Sequence, residues 1–206
     1  MATLKLVVFD CDGVMFDSKE ANRAYYNHLR EQFGHPPMDE EELEFVHVNH
    51  VMASMRHLFR HWPGELERVE EYRRGVDYTP FVRHMIMEPD LPEFLHFLRP
   101  RRKTAISTNR TTTMPAVLET FALGHLFDKV VTAIDVARPK PDPEALHQIL
   151  AHFECSVEEA IFIGDSMVDR EHTAAVGMRL IAFKNPGLPA EYHATSFMEI
   201  SRLPIF

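Results

Sequence analysis

Cysteine, tryptophan and glycine are all scarce in this chain: two, one and eight among 206 residues. Cys11 and Cys155 belong to no CxxC pair and cannot make the disulfide framework of a small secreted fold. The sequence therefore fits a reducing cytoplasm. No apolar run approaches the roughly 20 residues of a membrane-spanning helix. The opening Met-Ala-Thr-Leu-Lys lacks the long apolar region of a signal peptide, so a cytoplasmic location is expected. Positive charge is also short, with 22 Lys and Arg against 31 Asp and Glu and a net charge of −9. That balance repels nucleic-acid backbones and anionic membranes, and neither is expected as a partner. The one compact basic run, Arg99 to Lys103 around Pro100, reads as the solvated end of a helix, where the dipole favours cations. Internal repeats and low-complexity tracts are absent.

What remains is ordinary globular material, 45% hydrophobic and 26% charged. The length corresponds to about 1.4 typical domains, which suggests one core domain carrying a sizeable insertion. Leu4 to Phe9 is a nearly continuous apolar, β-branched run of the kind buried on both faces of a parallel sheet. It stops at Asp10-Cys11-Asp12-Gly13. Residues 17–88 then show helical periodicity, acidic stretches and little strand signal, and read as a helical insertion. From Pro89 the pattern alternates. Pro92–Leu98, Pro115–Ala122, Glu144–His152 and Arg170–Val176 read as helices; Lys103–Ser107, Val130–Ala133, Ala160–Ile163 and Leu180–Phe183 read as strands. Such alternation predicts an α/β fold, a Rossmann-like parallel sheet formed by residues 1–16 and 89–206, with residues 17–88 as an α-helical cap.

In open α/β sheets ligands bind beyond the carboxyl ends of the strands. Four polar segments fall there: Asp10-Cys11-Asp12, Ser107-Thr108-Asn109-Arg110, a Pro-bracketed Lys140, and Gly164-Asp165-Ser166 with Asp169 four residues on. Each alone is a weak signal. Together, in this order and each after a strand, they resemble the motifs of the haloacid dehalogenase superfamily, in the branch of phosphoglycolate phosphatase and β-phosphoglucomutase with a helical cap inserted after the first motif. The resemblance covers nearly the whole core; the cap matches in position and helical character only. It implies an Asp10 nucleophile, an Asp12 general acid/base, and phosphoryl binding by Thr108, Asn109 and Lys140. It also implies Mg²⁺ held by Asp10, Asp165, Asp169 and the backbone carbonyl of Asp12. An acid at position 12 further favours phosphoryl transfer, because family dehalogenases, whose halide needs no protonation, lack it. Gly13-Val14-Met15 departs from the common Gly-Thr-Leu at positions that carry no proposed chemistry.

The chemistry requires this set of residue types. A carboxylate can attack an anionic phosphate ester only where cations screen the repulsion and the reacting atoms are held in line. Mg²⁺ suits carboxylate oxygens, a buried lysine supplies fixed charge, and a hydroxyl supplies a hydrogen-bond donor. Attack by Asp10 gives an aspartyl-phosphate, with Asp12 protonating the leaving oxygen and then deprotonating water. The expected substrate is a small phosphorylated metabolite; a phosphomutase or an idle phosphate-binding module are the alternatives.

Other residues invite competing readings. Asp169 either caps the following helix or contacts the metal, and a role through water combines the two. Asp17-Ser18 reads as a helix cap. Arg110 either reaches an anionic substrate or is an exposed loop arginine. His57 and His61, with His47 and His50, have zinc-like spacing, but solvated helix faces explain them better. Met52, Met55, Met85 and Met87 with Phe59 and Trp62 read as cap packing, Glu65 to Arg74 as an ion-paired surface, and Cys11 as structural.

Overall fold

The computed structural model describes residues 3–49 and 51–206. They fall into two compact units, residues 1–17 with 87–206, and residues 18–86. The first is built on six strands: β1 (Leu6–Phe9), β2 (Lys103–Ser107), β3 (Lys129–Val131), β4 (Ala160–Gly164), β5 (Arg179–Phe183) and β6 (Tyr192–Ala194). All are parallel, in the order β3-β2-β1-β4-β5-β6. The chain therefore builds outward from β1 to one edge, then returns to build outward from β4 to the other. β1 and β4 lie side by side, Phe9 level with Ile163. The strand order reverses between them, and their carboxyl ends open the crevice where such sheets bind ligands.

The alternation of side chains across the sheet fills two layers. Leu6 and Val8 pack with Ala105, Phe162 and Leu180 on one face. Phe9 faces the other way, edge-on to Phe94 and Phe127 and tilted against Phe197.

The second unit is helical: α1 (Lys19–Gln32), α2 (Glu40–Val48), α3 (Val51–Leu58), α4 (Leu66–Gly75) and α5 (Thr79–Val82). Tyr25, Tyr26, Leu29, Leu43, Met55 and Phe59 form its interior. A capping box starts α2, Asp39 accepting from the Glu42 N–H and Glu42 from the Asp39 N–H. The buried carboxylate of Glu42 also lies between Arg30 at 2.5 Å and Arg60 at 2.6 Å. Trp62 stacks on the His35 ring at 3.7 Å. Ser18 takes the expected N-cap position of α1, its carbonyl accepting the Asn22 N–H, but its side chain makes no capping bond. His57 stacks on Phe45 at 3.9 Å. His50 lies outside the described residues, and among those described no histidine joins a group able to hold a metal.

Five helices complete the first unit: α6 (Leu91–Leu98), α7 (Met114–Thr120), α8 (Glu144–His152), α9 (Met167–Ala174) and α10 (Phe197–Ile200). In α6 the residues Leu91, Phe94, Leu95 and Leu98 are buried, the i, i+3, i+4, i+7 stripe of a helix lying on a core. Its Pro92 sits in the first turn, where a missing N–H costs nothing. Two elements exceed expectation. The sequence reading ended with Leu180–Phe183, whereas the chain adds β6 and then α10, which Ser196 caps by accepting from the Glu199 N–H. The α9 helix also starts at Met167, not Arg170, which puts Asp169 inside its first turn.

Candidate active site

Asp10 follows β1 directly and is 9% exposed. Its Oδ1 accepts the Cys11 N–H at 2.6 Å and lies 2.8 Å from the Lys140 ammonium. Lys140 enters from the loop before α8, is itself buried, and donates to Asp169 Oδ1 at 2.7 Å. Asp165 follows β4, and its backbone carbonyl accepts from the Asn185 amide at 2.7 Å. Carboxylate oxygens of Asp10, Asp165 and Asp169 all lie within 4.8 Å of one another. Asp169 is wholly buried. Its Oδ2 accepts the backbone N–H groups of Asp165 and Ser166 and the Ser166 hydroxyl. The residue that caps α9 is therefore Ser166, with Asp169 as its capping-box partner at the third helical position.

Two glycines make room for this cluster. Gly13 has φ +75°, and a Cβ there would stand 2.1 Å from Asp165 Oδ2. At Gly164 a Cβ would stand 2.6 Å from the Cβ of Asp169. A methyl group at either place collides with a carboxylate residue.

The loop after β2 contributes the next shell. Thr108 is buried, and its hydroxyl accepts the Arg110 backbone N–H at 3.1 Å. The Asn109 amide donates to the Lys140 carbonyl at 3.0 Å, so Asn109 ties the β2 loop to the Lys140 loop. Asp12 lies beyond the strand, in the turn that Gly13 opens, and not in a continuing β alternation with Asp10. Its two carboxylate oxygens accept from Arg110, Oδ2 from Nε at 2.7 Å and Oδ1 from Nη2 at 2.6 Å. Cys11 is wholly buried, and burial with the neighbouring Asp12 charge raises its thiol far above the ordinary value, which leaves it protonated and inert.

Comparison with known proteins bears on what this arrangement is. Residues 7–183 match the family of haloacid dehalogenase-like hydrolases. The crystal structure of a HAD-superfamily hydrolase, subfamily IA, variant 1, from Geobacter sulfurreducens PCA superposes with a TM-score of 0.88 at 40% identity, covering 96% of this chain and 95% of that one. The chain belongs to the haloacid dehalogenase-like hydrolases. It is also 26% identical to the phosphoglycolate phosphatase of Vibrio cholerae over 91% of this chain and 83% of that one. It is 26% identical to the pyrophosphatase PpaX of Bacillus velezensis over 79% and 75%. The family makes this chain a hydrolase, and both relatives carry the name of an enzyme acting on a phosphorylated compound.

Electrostatics show what the hydrolase's carboxylates can hold. Burial pushes Asp10 up to about 8 against the opposing pull of Lys140. Burial, then the Asp169 charge, pushes Asp165 up to about 6. Burial also works to raise Asp169, but Lys140 and the Ser166 hydrogen bonds together outweigh it and hold that carboxyl below its ordinary value. Burial alone would lower the Lys140 ammonium, and the charges of Asp10 and Asp169 reverse this and hold it above its ordinary value. One ammonium thus faces three crowded carboxylates, two of them pushed by burial toward the protonated form. A divalent cation would relieve that imbalance, and an all-oxygen donor set fits a hard ion such as Mg²⁺. The oxygens of Asp169 are already engaged, so Asp10 and Asp165 could offer the direct carboxylate ligands, with Asp169 fixing Lys140 and the Asp165 backbone.

Of the two readings the sequence allows for Arg110, the exposed loop residue is corrected, because the fold pairs the side chain with Asp12 and leaves it 10% exposed. Two further residues of the hydrolase go unmarked in the sequence. His172, wholly buried in α9, has Nδ1 2.8 Å from the Asp142 carbonyl and Nε2 3.1 Å from the Ser107 hydroxyl. The carbonyl can only accept, which assigns the proton to Nδ1 and makes Nε2 the acceptor. Burial, then the Lys140 charge, lowers this imidazole to about 4. Asn185 follows β5 and supports Asp165. The legible signal for His172 was its place three residues after Asp169 on one helix face; for Asn185 there was none.

Proposed function

We propose that this hydrolase is a Mg²⁺-dependent phosphatase acting on a small phosphorylated metabolite through an aspartyl-phosphate. The observation that carries the reading is the Asp10–Lys140–Asp169 array, with Asp165 beside it at the strand-order reversal. Asp10 Oδ2, which makes neither the Lys140 nor the Cys11 contact, attacks phosphorus. Lys140 and the Thr108 hydroxyl bind the phosphoryl oxygens, and Asn109 holds the Lys140 loop in place. Asp12 gives a proton to the leaving oxygen and takes one from the hydrolytic water. Mg²⁺, held by Asp10, Asp165 and the Asp12 carbonyl, supplies charge neutralisation for the attack of one anion on another. Asp169 supports the metal ligands without taking their place.

Phosphoglycolate and pyrophosphate, named for the relatives, are the first substrates to test. No helix among the described residues is long and apolar enough to cross a membrane, and two free cysteines support work in the reducing cytoplasm. The test is a screen for phosphate release across phosphorylated metabolites with Mg²⁺, run beside Asp10→Asn. Release that EDTA suppresses reversibly and that Asp10→Asn abolishes is expected. Sugar-phosphate isomers without net phosphate release would indicate a mutase instead, and normal turnover by Asp10→Asn would remove Asp10 from the nucleophile's role.

A further inference from the structure

Arg110 and Asp12 lie 98 positions apart and meet in a two-pronged pair, at 2.6 and 2.7 Å. The two partners differ in exposure. The Arg110 side chain is 10% exposed, donates from Nη1 to the Thr113 hydroxyl at 3.2 Å, and its backbone N–H is held by the Thr108 hydroxyl. The Asp12 side chain is 39% exposed. The guanidinium is thus the buried partner of the pair and the carboxylate the more exposed one.

That geometry conflicts with the work assigned to Asp12. A carboxylate that accepts from one guanidinium at both oxygens carries no proton to give, so for Asp12 to protonate the leaving oxygen of an ester held at Asp10 the pair must loosen and Asp12 must take up a proton. A neutral leaving group offers the guanidinium nothing in exchange, and exposing a mostly buried arginine charge without a partner is costly. A leaving group that carries its own planar pair of anionic oxygens replaces Asp12 like for like.

We propose that Arg110 determines specificity: it binds a second anionic group on the leaving half of the substrate, and Asp12 occupies that place until the substrate arrives. Exchange frees Asp12 to turn toward the leaving oxygen, so recognition of the right substrate and release of the acid/base group are one event. This inference rests on the phosphatase reading. The chemical class it selects is a phosphomonoester or phosphoanhydride whose departing fragment is a carboxylate or a phosphate.

Ethyl phosphate and 2-phosphoglycolate share a two-carbon skeleton and differ by a methyl group against a carboxylate; pyrophosphate supplies the phosphate counterpart. The experiment compares kcat and KM on all three for the parent enzyme, Arg110→Met and Arg110→Lys. The parent should favour at least one anionic leaving group over ethyl phosphate by about tenfold or more in kcat/KM, the scale of one charge-assisted hydrogen bond. Which of the two is favoured tells carboxylate from phosphate. Arg110→Met should lose most of that preference and Arg110→Lys, which keeps charge without the fork, part of it. A merely structural arginine would depress all three substrates alike, and an undiminished preference in both variants overturns the proposal. Isothermal titration of the Asp10→Asn protein with 2-phosphoglycolate and ethyl phosphate, with and without Arg110→Met, reads the same preference as binding. Absent phosphate release from every ester would sink the phosphatase reading, while equal affinity for the two ligands would sink this one.

Discussion

Replacing Lys140 with methionine keeps the length of the side chain and removes the ammonium that stands 2.8 Å from Asp10 and 2.7 Å from Asp169. Its side chain is 3% exposed, so water cannot take over either contact. Each lost charge-assisted hydrogen bond is worth about 1.5–3 kcal/mol, and breaking a buried ion pair from one side costs about 3–5 kcal/mol. The two routes agree on a loss of about 3–5 kcal/mol in EDTA near neutral pH. For a chain of this size that corresponds to a fall in melting temperature of roughly 6–20 °C. Two conditions should reduce the loss. Mg²⁺ supplies positive charge to the same carboxylates, and at about 100-fold over its Kd would restore about 2.7 kcal/mol. Lower pH does the same by protonation. Burial pushes folded Asp10 up to about 8, above an unfolded carboxyl. The folded state therefore binds more protons between those values, and stability rises as pH falls through that window. Without Lys140 to lower Asp10, the variant should recover more on acidification than the parent. Calorimetric scans of both proteins at several pH values, with EDTA or Mg²⁺, measure all of this. A loss under about 1 kcal/mol in EDTA, or a loss independent of pH and Mg²⁺, would refute the reasoning that Lys140 neutralises a crowded carboxylate cluster.

Gly13→Ala forces φ +75° on a residue with a Cβ and drives that Cβ toward Asp165. It should cost about 1–2 kcal/mol in backbone strain alone and remove the stabilisation by Mg²⁺; an unchanged Mg²⁺ response in thermal scans would contradict the close approach. His172 is neutral in the fold down to about 4, whereas an unfolded histidine takes a proton below about 6.5. His172 therefore contributes stability that grows with pH between those values, opposite in sign to the Asp10 contribution, and His172→Gln should lower the slope of urea midpoint against pH there; an identical slope would place the effect elsewhere.

Much of this fold could be read along the chain, for definite reasons. Strands buried on both faces leave continuous apolar runs, which is why Lys103–Ser107 and Ala160–Ile163 were legible, and Glu144–His152 kept a clean amphipathic period. The edge strand Tyr192–Ala194 was not, because three residues with an exposed His193 carry no apolar signal. The polar ends of the strands could be placed on one rim, but the sheet order that sets Asp10 beside Asp165 is a tertiary fact. So is the Arg110–Asp12 pair: a loop arginine looks the same in sequence whether it faces water or a carboxylate. Asp169 was ambiguous because a sequence does not show what each carboxylate oxygen touches; one serves the capping box and the other holds Lys140.

The stacking of Trp62 on His35 has a spectroscopic consequence. It is the only tryptophan in the chain, and it belongs to residues 18–86. Intrinsic indole emission therefore witnesses the helical insertion, while the carboxylate cluster has no such chromophore of its own. The neighbours that this indole reports on are His35, His61 and Arg30, all within residues 18–86. Metal or ligand titrations at the cluster consequently need calorimetry or a placed probe, and a steady emission spectrum gives no assurance that the catalytic core is intact.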